Sequence, residues 1–290
     1  MARETSMSDG RRIHRTISAD GTEIAGRVVG QGPPLVLVHG GVFCGETAWK
    51  GMLPHLTDRF TCFLPSTRGK GLSAHAREYS LQLQQQDITA FVESIGQPVP
   101  LFGWSGGGLW ALGAAEQSDA VTAVVAYEPA VFETIDEQTM TELGGVLARM
   151  AEAVEQDRPA DAAREFLVFI SNDDELGAVL AADHHEATAS NQFADLRALQ
   201  NVDPAASSAT DPAALATIAT PVLLLEGDRP AQAWFPRMNQ YVADHVPKAE
   251  LRTIPGAGHV GPVLAPGPVA AELTRFLATA GEPHTTPTPQ

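Results

Sequence analysis

The chain has 290 residues, 44% of them hydrophobic, which suits one large α/β domain carrying an insertion or two small domains. Its formal net charge of -16, from 35 acidic against 19 basic side chains, repels phosphate backbones and anionic lipid surfaces, so neither nucleic acid nor membrane is expected as a partner. The two cysteines, Cys44 and Cys62, are too few for a disulfide framework, and no run approaches the roughly 18–20 apolar residues of a membrane span.

Residues 1–14 are polar, with no apolar stretch behind Arg11-Arg12 to make an export signal, so a loose N-terminal segment and a cytoplasmic location are expected. Strands are predicted at 15–19 and 22–29, joined by a turn at Asp20-Gly21. The run PLVLV at 34–38 reads as a strand buried on both faces of a parallel sheet. A helix is expected from about Thr47, a strand at 60–64, and a helix over 80–95 whose apolar face is interrupted by a turn rich in glutamine. Then follow a strand at 99–102, a helix at 107–116 and a strand at 121–127.

After Pro129 the pattern changes. Residues 131–220 show helical spacing and no convincing strand, with Leu143, Val146, Leu147, Met150 and Val154 forming one apolar stripe. The sheet pattern resumes at 221–225, followed by a helix at 231–246, a strand at 250–254 and a helix at 269–278. The tail 281–290 is rich in proline and threonine and is expected to be loose. The reading is therefore an α/β fold with a mostly parallel sheet and helices on both faces. Its core comprises 15–130 and 221–280, and 131–220 is a helical cap over the carboxyl edge where such sheets bind ligands.

The sharpest chemical signal is Gly103-Trp104-Ser105-Gly106-Gly107, set between a predicted strand and a predicted helix. Small residues on either side let a serine occupy a tight, strained turn with its hydroxyl exposed. The helix N-terminus behind it favours a developing negative charge. His39-Gly40-Gly41-Val42, after PLVLV, can turn a backbone N–H toward that serine, from Gly41 or, one residue on, Val42. With Gly106 this makes a pair of oxyanion donors. Gly256-Ala257-Gly258-His259 presents an imidazole on a glycine-flanked loop, late enough in the chain to follow both nucleophile and acid.

Two acids compete for that imidazole. Asp228 follows PVLLLEG and Glu128 follows VTAVVAY, each at the end of a predicted strand; Asp228 is the favoured one. Candidates for the substrate wall are Val42, Trp104, Phe132 and Trp234, with Phe166, Phe169 and Phe235 as further aromatic candidates. His184-His185 are adjacent and would not converge on one ion, so no metal is expected. The insertion holds 17 acidic residues against four arginines, a charge of -13, read chiefly as a solvated outer face.

Taken together, the HGG turn, the GWSGG elbow, the EGD segment and the PGAGH loop resemble the α/β-hydrolase superfamily from about residue 15 to 280. The resemblance implies Ser105 as nucleophile, Asp228 as acid, His259 as base, Gly41 and Gly106 as oxyanion donors, and 131–220 as a cap. It also implies a small-molecule ester or lactone substrate, cleaved without cofactor or metal. A haloperoxidase, lyase or C–C bond hydrolase on the same site is the alternative, with a silent ligand-binding protein behind it. One departure is visible. Residues 65–73, PSTRGKGLS, match the family's P-D-x-R-G-x-G-x-S loop except for Ser66 where aspartate is usual. A monomer and a homodimer are both open.

Overall fold

The computed structural model describes residues 3–8, 11–181, 188–202 and 208–280; the pair His184-His185 and the tail 281–290 lie outside them. Nine strands form one sheet in the order β1-β2-β3-β5-β4-β6-β7-β8-β9. They are β1 (Arg3–Ser8), β2 (Arg11–Ile17), β3 (Glu23–Gly30), β4 (Pro34–Val38), β5 (Thr61–Pro65), β6 (Val99–Trp104), β7 (Val121–Tyr127), β8 (Val222–Gly227) and β9 (Ala249–Ile254). The first three are antiparallel to their neighbours, and from β5 onward every pairing is parallel.

The interior parallel strands are the apolar runs of the sequence, and their position between neighbours accounts for the lack of alternation: all five residues of β4 are buried, whereas the edge strand β9 stays polar and largely unburied. Between β5 and β7 lie α1 (Leu81–Ser94) and α2 (Gly106–Gln117). Between β7 and β8 come α3 (Glu137–Glu155), α4 (Pro159–Ile170), α5 (Asp173–Ala181), α6 (Ala189–Gln200) and the short α7 (Pro212–Thr217). The chain finishes with α8 (Trp234–His245), the single turn α9 (Gly261–Leu264) and α10 (Pro266–Ala280). Helices α1 and α2 pack on each other and on the sheet, and α8 packs on β8 and β9. The stripe on α3 buries Leu143, Val146 and Met150.

Two expectations are corrected. The N-terminal segment is not loose over its described residues: β1 pairs with β2, and Ile13 and His14 are buried. A backbone ladder needs no apolar alternation, so the polar sequence gave no sign of it. The helix expected near Thr47 is a series of turns ending in a single 3-10 turn, Leu53–His55. Pro54 lacks an N–H, and the chain at Gly45 runs so close to β5 that a Cβ there would stand 2.2 Å from the Leu64 carbonyl oxygen.

A buried ion pair helps to hold the loop after β5. Arg68, fully buried, meets both carboxylate oxygens of Asp87 on α1 at 2.7 and 2.8 Å and reaches Asp20 at 2.7 Å. Burial pushes the Asp87 carboxyl up, Arg68 pulls it down, and burial is the larger effect. Arg68→Met should therefore cost about 3–5 kcal/mol by leaving Asp87 buried without a cation. Denaturant unfolding should show that loss, and Arg68→Met/Asp87→Leu should recover most of it.

Candidate active site

The backbone at Ser105, between β6 and α2, has φ 55° and ψ -120°, a region that costs a non-glycine residue about 1–3 kcal/mol. The surrounding chain over-determines it. The Ser105 N–H donates to the Tyr127 carbonyl at 3.0 Å, and its carbonyl accepts from Gly108 and Ala130. Side chains are excluded on both sides: a Cβ on Gly103 would lie 2.2 Å from the Gly107 carbonyl oxygen, and one on Gly107 would lie 2.0 Å from that of Val38. This crossing is the physical reason for the glycines of the GWSGG segment.

His259 sits on the loop after β9, 1% exposed, with its Nδ1 2.8 Å from Glu128 Oε2. Glu128, also 1% exposed, ends β7 and accepts the Gly227 N–H at 3.0 Å through Oε1. The Phe235 ring stacks on the imidazole with centroids 4.0 Å apart. Trp104 Nε1 donates to the His259 carbonyl at 2.8 Å, and Tyr127 OH donates to the Gly258 carbonyl at 2.6 Å. With Nδ1–H committed to the carboxylate, Nε2 is left as a buried lone pair with no hydrogen-bond partner among the described residues.

Asp228 does not occupy the place expected of it. It is exposed, and its Oδ1 accepts the Gly256 N–H at 2.7 Å. Register explains the difference. Tyr127 pairs with Leu225, so Glu128 stands level with Glu226, and Asp228 lies two residues further along, beyond the end of β8. The acid on β7 reaches the imidazole from inside the sheet edge, while the one after β8 braces the histidine loop from outside.

Gly41 and Gly106 line one cavity of about 80 Å³ with Ser105. Gly106 opens α2, where the N–H has no intrahelical acceptor. The Val42 N–H is already taken, donating to Asp195 Oδ2 at 2.7 Å, so Gly41 is the remaining candidate donor on this loop. His39 braces the turn as a neutral ring: Nδ1–H donates to the Gly40 carbonyl and Nε2 accepts from Thr67 N–H. Burial, helped by Lys70, holds its pKa down at about 3.

Among the expected wall residues, Phe132 lines the cavity, as does Phe166. Val42, Trp104 and Trp234 do not. Val42 is buried beneath its loop, Trp104 packs on Phe43 and Trp49, and Trp234 packs between Phe169 and Phe235. A second cavity of about 420 Å³ continues beneath α3, sharing Leu81, Leu109, Phe132 and Leu199 with the first. Among the described residues no group of three or more His, Cys, Asp or Glu could hold a metal ion.

Two cap carboxylates turn inward. Asp195 on α6 joins the Val42 N–H to Lys70 Nζ, 2.5 Å away and fully buried. Glu175 on α5 accepts the N–H of Val260, next to His259, at 2.7 Å, and burial pushes its carboxyl up. Sequence reasoning took the cap acids mainly as solvated and missed both. Their partners are more than 80 residues away, and no local spacing marks them.

A model of the "Alpha/beta hydrolase family" matches residues 35–272. The chain belongs to that family. It is 30% identical over 267 residues to a pimeloyl-[acyl-carrier protein] methyl ester esterase of Stenotrophomonas maltophilia, covering 87% of this chain and 95% of the relative. Among solved structures, an esterase from Thermogutta terrifontis aligns with a TM-score of 0.75 at 22% identity, covering 93% of this chain and 99% of that one. The enol-lactonase of Burkholderia xenovorans LB400 aligns at 0.71 and 17% identity, covering 91% and 99%. These two likenesses establish the fold, and the family match with the curated relative makes this hydrolase an esterase-like enzyme.

Removing Asp195 leaves Lys70 buried and unpaired. Asp195→Ala should lower unfolding free energy by about 3–5 kcal/mol. Asp195→Asn, which retains an acceptor for Val42 N–H, should lose less, and chemical denaturation of the two variants measures the difference.

Proposed function

We propose that the hydrolase cleaves a neutral, fairly apolar carboxylic ester or lactone, with Ser105 as nucleophile, His259 as base and Glu128 as the acid that orients it. The observation that carries this reading is the buried His259–Glu128 pair, which commits one ring nitrogen and leaves the other unpartnered. A neutral imidazole so held can take a proton at Nε2 only, and the carboxylate stabilises the imidazolium that results.

In the first step Nε2 removes the Ser105 Oγ proton as Oγ bonds to the substrate carbonyl carbon. The electron pair moves to the carbonyl oxygen, where the N–H groups of Gly41 and Gly106 and the N-terminus of α2 stabilise it. Collapse expels the alkoxide, which takes the proton from His259, leaving Ser105 acylated. Water then gives its proton to His259 and attacks the acyl carbon, and the second collapse returns the proton to Ser105 and frees the acid.

The lining of the cavities supports this substrate class. Apolar side chains dominate both walls, and no lysine or arginine lines either among the described residues. Glu133 and Asp211 add carboxylates to the larger cavity, which disfavour an anionic substituent.

Three variants test the assignment. A fluorophosphonate probe should label Ser105, as mapped by mass spectrometry, and should leave Ser105→Ala unmodified. Glu128→Gln should lower kcat on a p-nitrophenyl ester by roughly 10³–10⁴ because the imidazole loses its orienting charge. Asp228→Asn should stay close to wild type. A large loss in Asp228→Asn with none in Glu128→Gln would reverse the assignment of the acid.

A further inference from the structure

Helix α1 opens Leu81-Gln82-Leu83-Gln84-Gln85-Gln86, an unusual density of amides for a helix turned toward the sheet. Gln84 is 1% exposed, and neither its Oε1 nor its Nε2 has a hydrogen-bond partner among the described residues. It lines the cavity that holds Ser105. On the neighbouring helix α2, Trp110 lines the same cavity, 3% exposed, with its indole Nε1 likewise unpartnered. Gln82 and Gln85 continue the row of amides along the adjoining 420 Å³ cavity.

A buried polar group left unpaired is destabilising, and a leucine or methionine would fill the Gln84 position without that cost. A position that carries such a cost beside a reacting serine suits a group that finds its partner on a ligand. Gln192 has the same orphaned amide at full burial, but it lines neither cavity, so the cavity is what singles out Gln84. Gln84 Nε2 and Trp110 Nε1 are both donors, and Gln84 Oε1 is an acceptor. Two donors suit a carbonyl oxygen, and the acceptor suits a hydroxyl.

We propose that Gln84, assisted by Trp110, binds a second neutral oxygen function on the substrate, so that this hydrolase prefers oxo- or hydroxy-substituted esters and lactones to plain alkanoate esters. The inference rests on the reading of Ser105 as the nucleophile. It goes beyond that reading by naming the residue that discriminates and the group it recognises. Gln84 contributes to binding and leaves the bond-breaking step to the serine and histidine. A site built to hydrogen-bond a substrate oxygen discriminates strongly against the analogue lacking it, because its own polar groups are then left unpaired.

The test uses the full chain and four methyl esters: hexanoate and its 3-oxo, 4-oxo and 5-oxo derivatives, followed by pH-stat titration. Each rate is normalised to alkaline hydrolysis of the same ester. In the wild type at least one oxo ester should exceed methyl hexanoate in kcat/KM by about tenfold or more, chiefly through KM. In Gln84→Met, which matches the length without donors or acceptors, that ratio should fall to near one, and Tm should rise because an orphaned amide has gone. Trp110→Phe should lower the ratio partway. An unchanged ratio in Gln84→Met, no oxo preference in the wild type, or a fall in Tm with the ratio intact would each overturn the proposal. Fluorophosphonate labelling of the same preparations separates the two levels. Labelled Ser105 with an unchanged ratio rejects only the role of Gln84. Unlabelled Ser105 with no ester hydrolysed rejects the nucleophile and this inference with it.

Discussion

A carboxylate and an imidazole, each about 1% exposed, meet at the carboxyl edge of this sheet, and burial of the Glu128 charge sets demands on everything near it. A charge so deep must be paired and hydrogen-bonded, or it would neutralise. Oε2 has the His259 Nδ1–H and Oε1 has the Gly227 N–H. Those two bonds require β7 and β8 in one register and the loop after β9 folded back over them. The Glu128 backbone itself lies at φ 42°, a conformation that its neighbours must hold in place. Tyr127, Trp104 and Phe235 then lock the histidine loop from three directions.

The cap completes the arrangement. Asp195 fixes the loop that carries Gly41, and Glu175 fixes the backbone beside His259. Each uses a carboxylate to hold a backbone N–H of the core, so the position of these helices is felt at both loops at once. The remaining inward surface of the cap is largely apolar and encloses the space beside Ser105. Two acidic side chains of the insertion thus act as structural pins, while others, such as Glu137, Glu142 and Asp161, are exposed.

Several features were legible because they depend on local sterics. A tight turn at Ser105 follows from glycines placed where the chain crosses itself, and an interior parallel strand follows from an unbroken apolar run such as PLVLV. The acid partner was not legible. Glu128 and Asp228 both end strands, and only the register of β7 against β8 decides which reaches the imidazole; residue patterns do not encode it. The N-terminal hairpin was hidden for a related reason, since backbone ladders leave no side-chain signature in a polar segment. The turns around Thr47 reflect Gly45 pressed against β5 and Pro54, which lacks an N–H. Gln84 was visible only as an irregularity in a helix face, and its cavity came into view with the fold.

The central claim is that Glu128, and not Asp228, holds the Nδ1–H of His259. Proton NMR of protein carrying ¹⁵N-labelled histidine tests it most directly by following that one proton. The account predicts a far-downfield Nδ1–H resonance that is slow to exchange, is lost or strongly displaced in Glu128→Gln, and is retained in Asp228→Asn. Retention of the resonance in Glu128→Gln with loss in Asp228→Asn would contradict it.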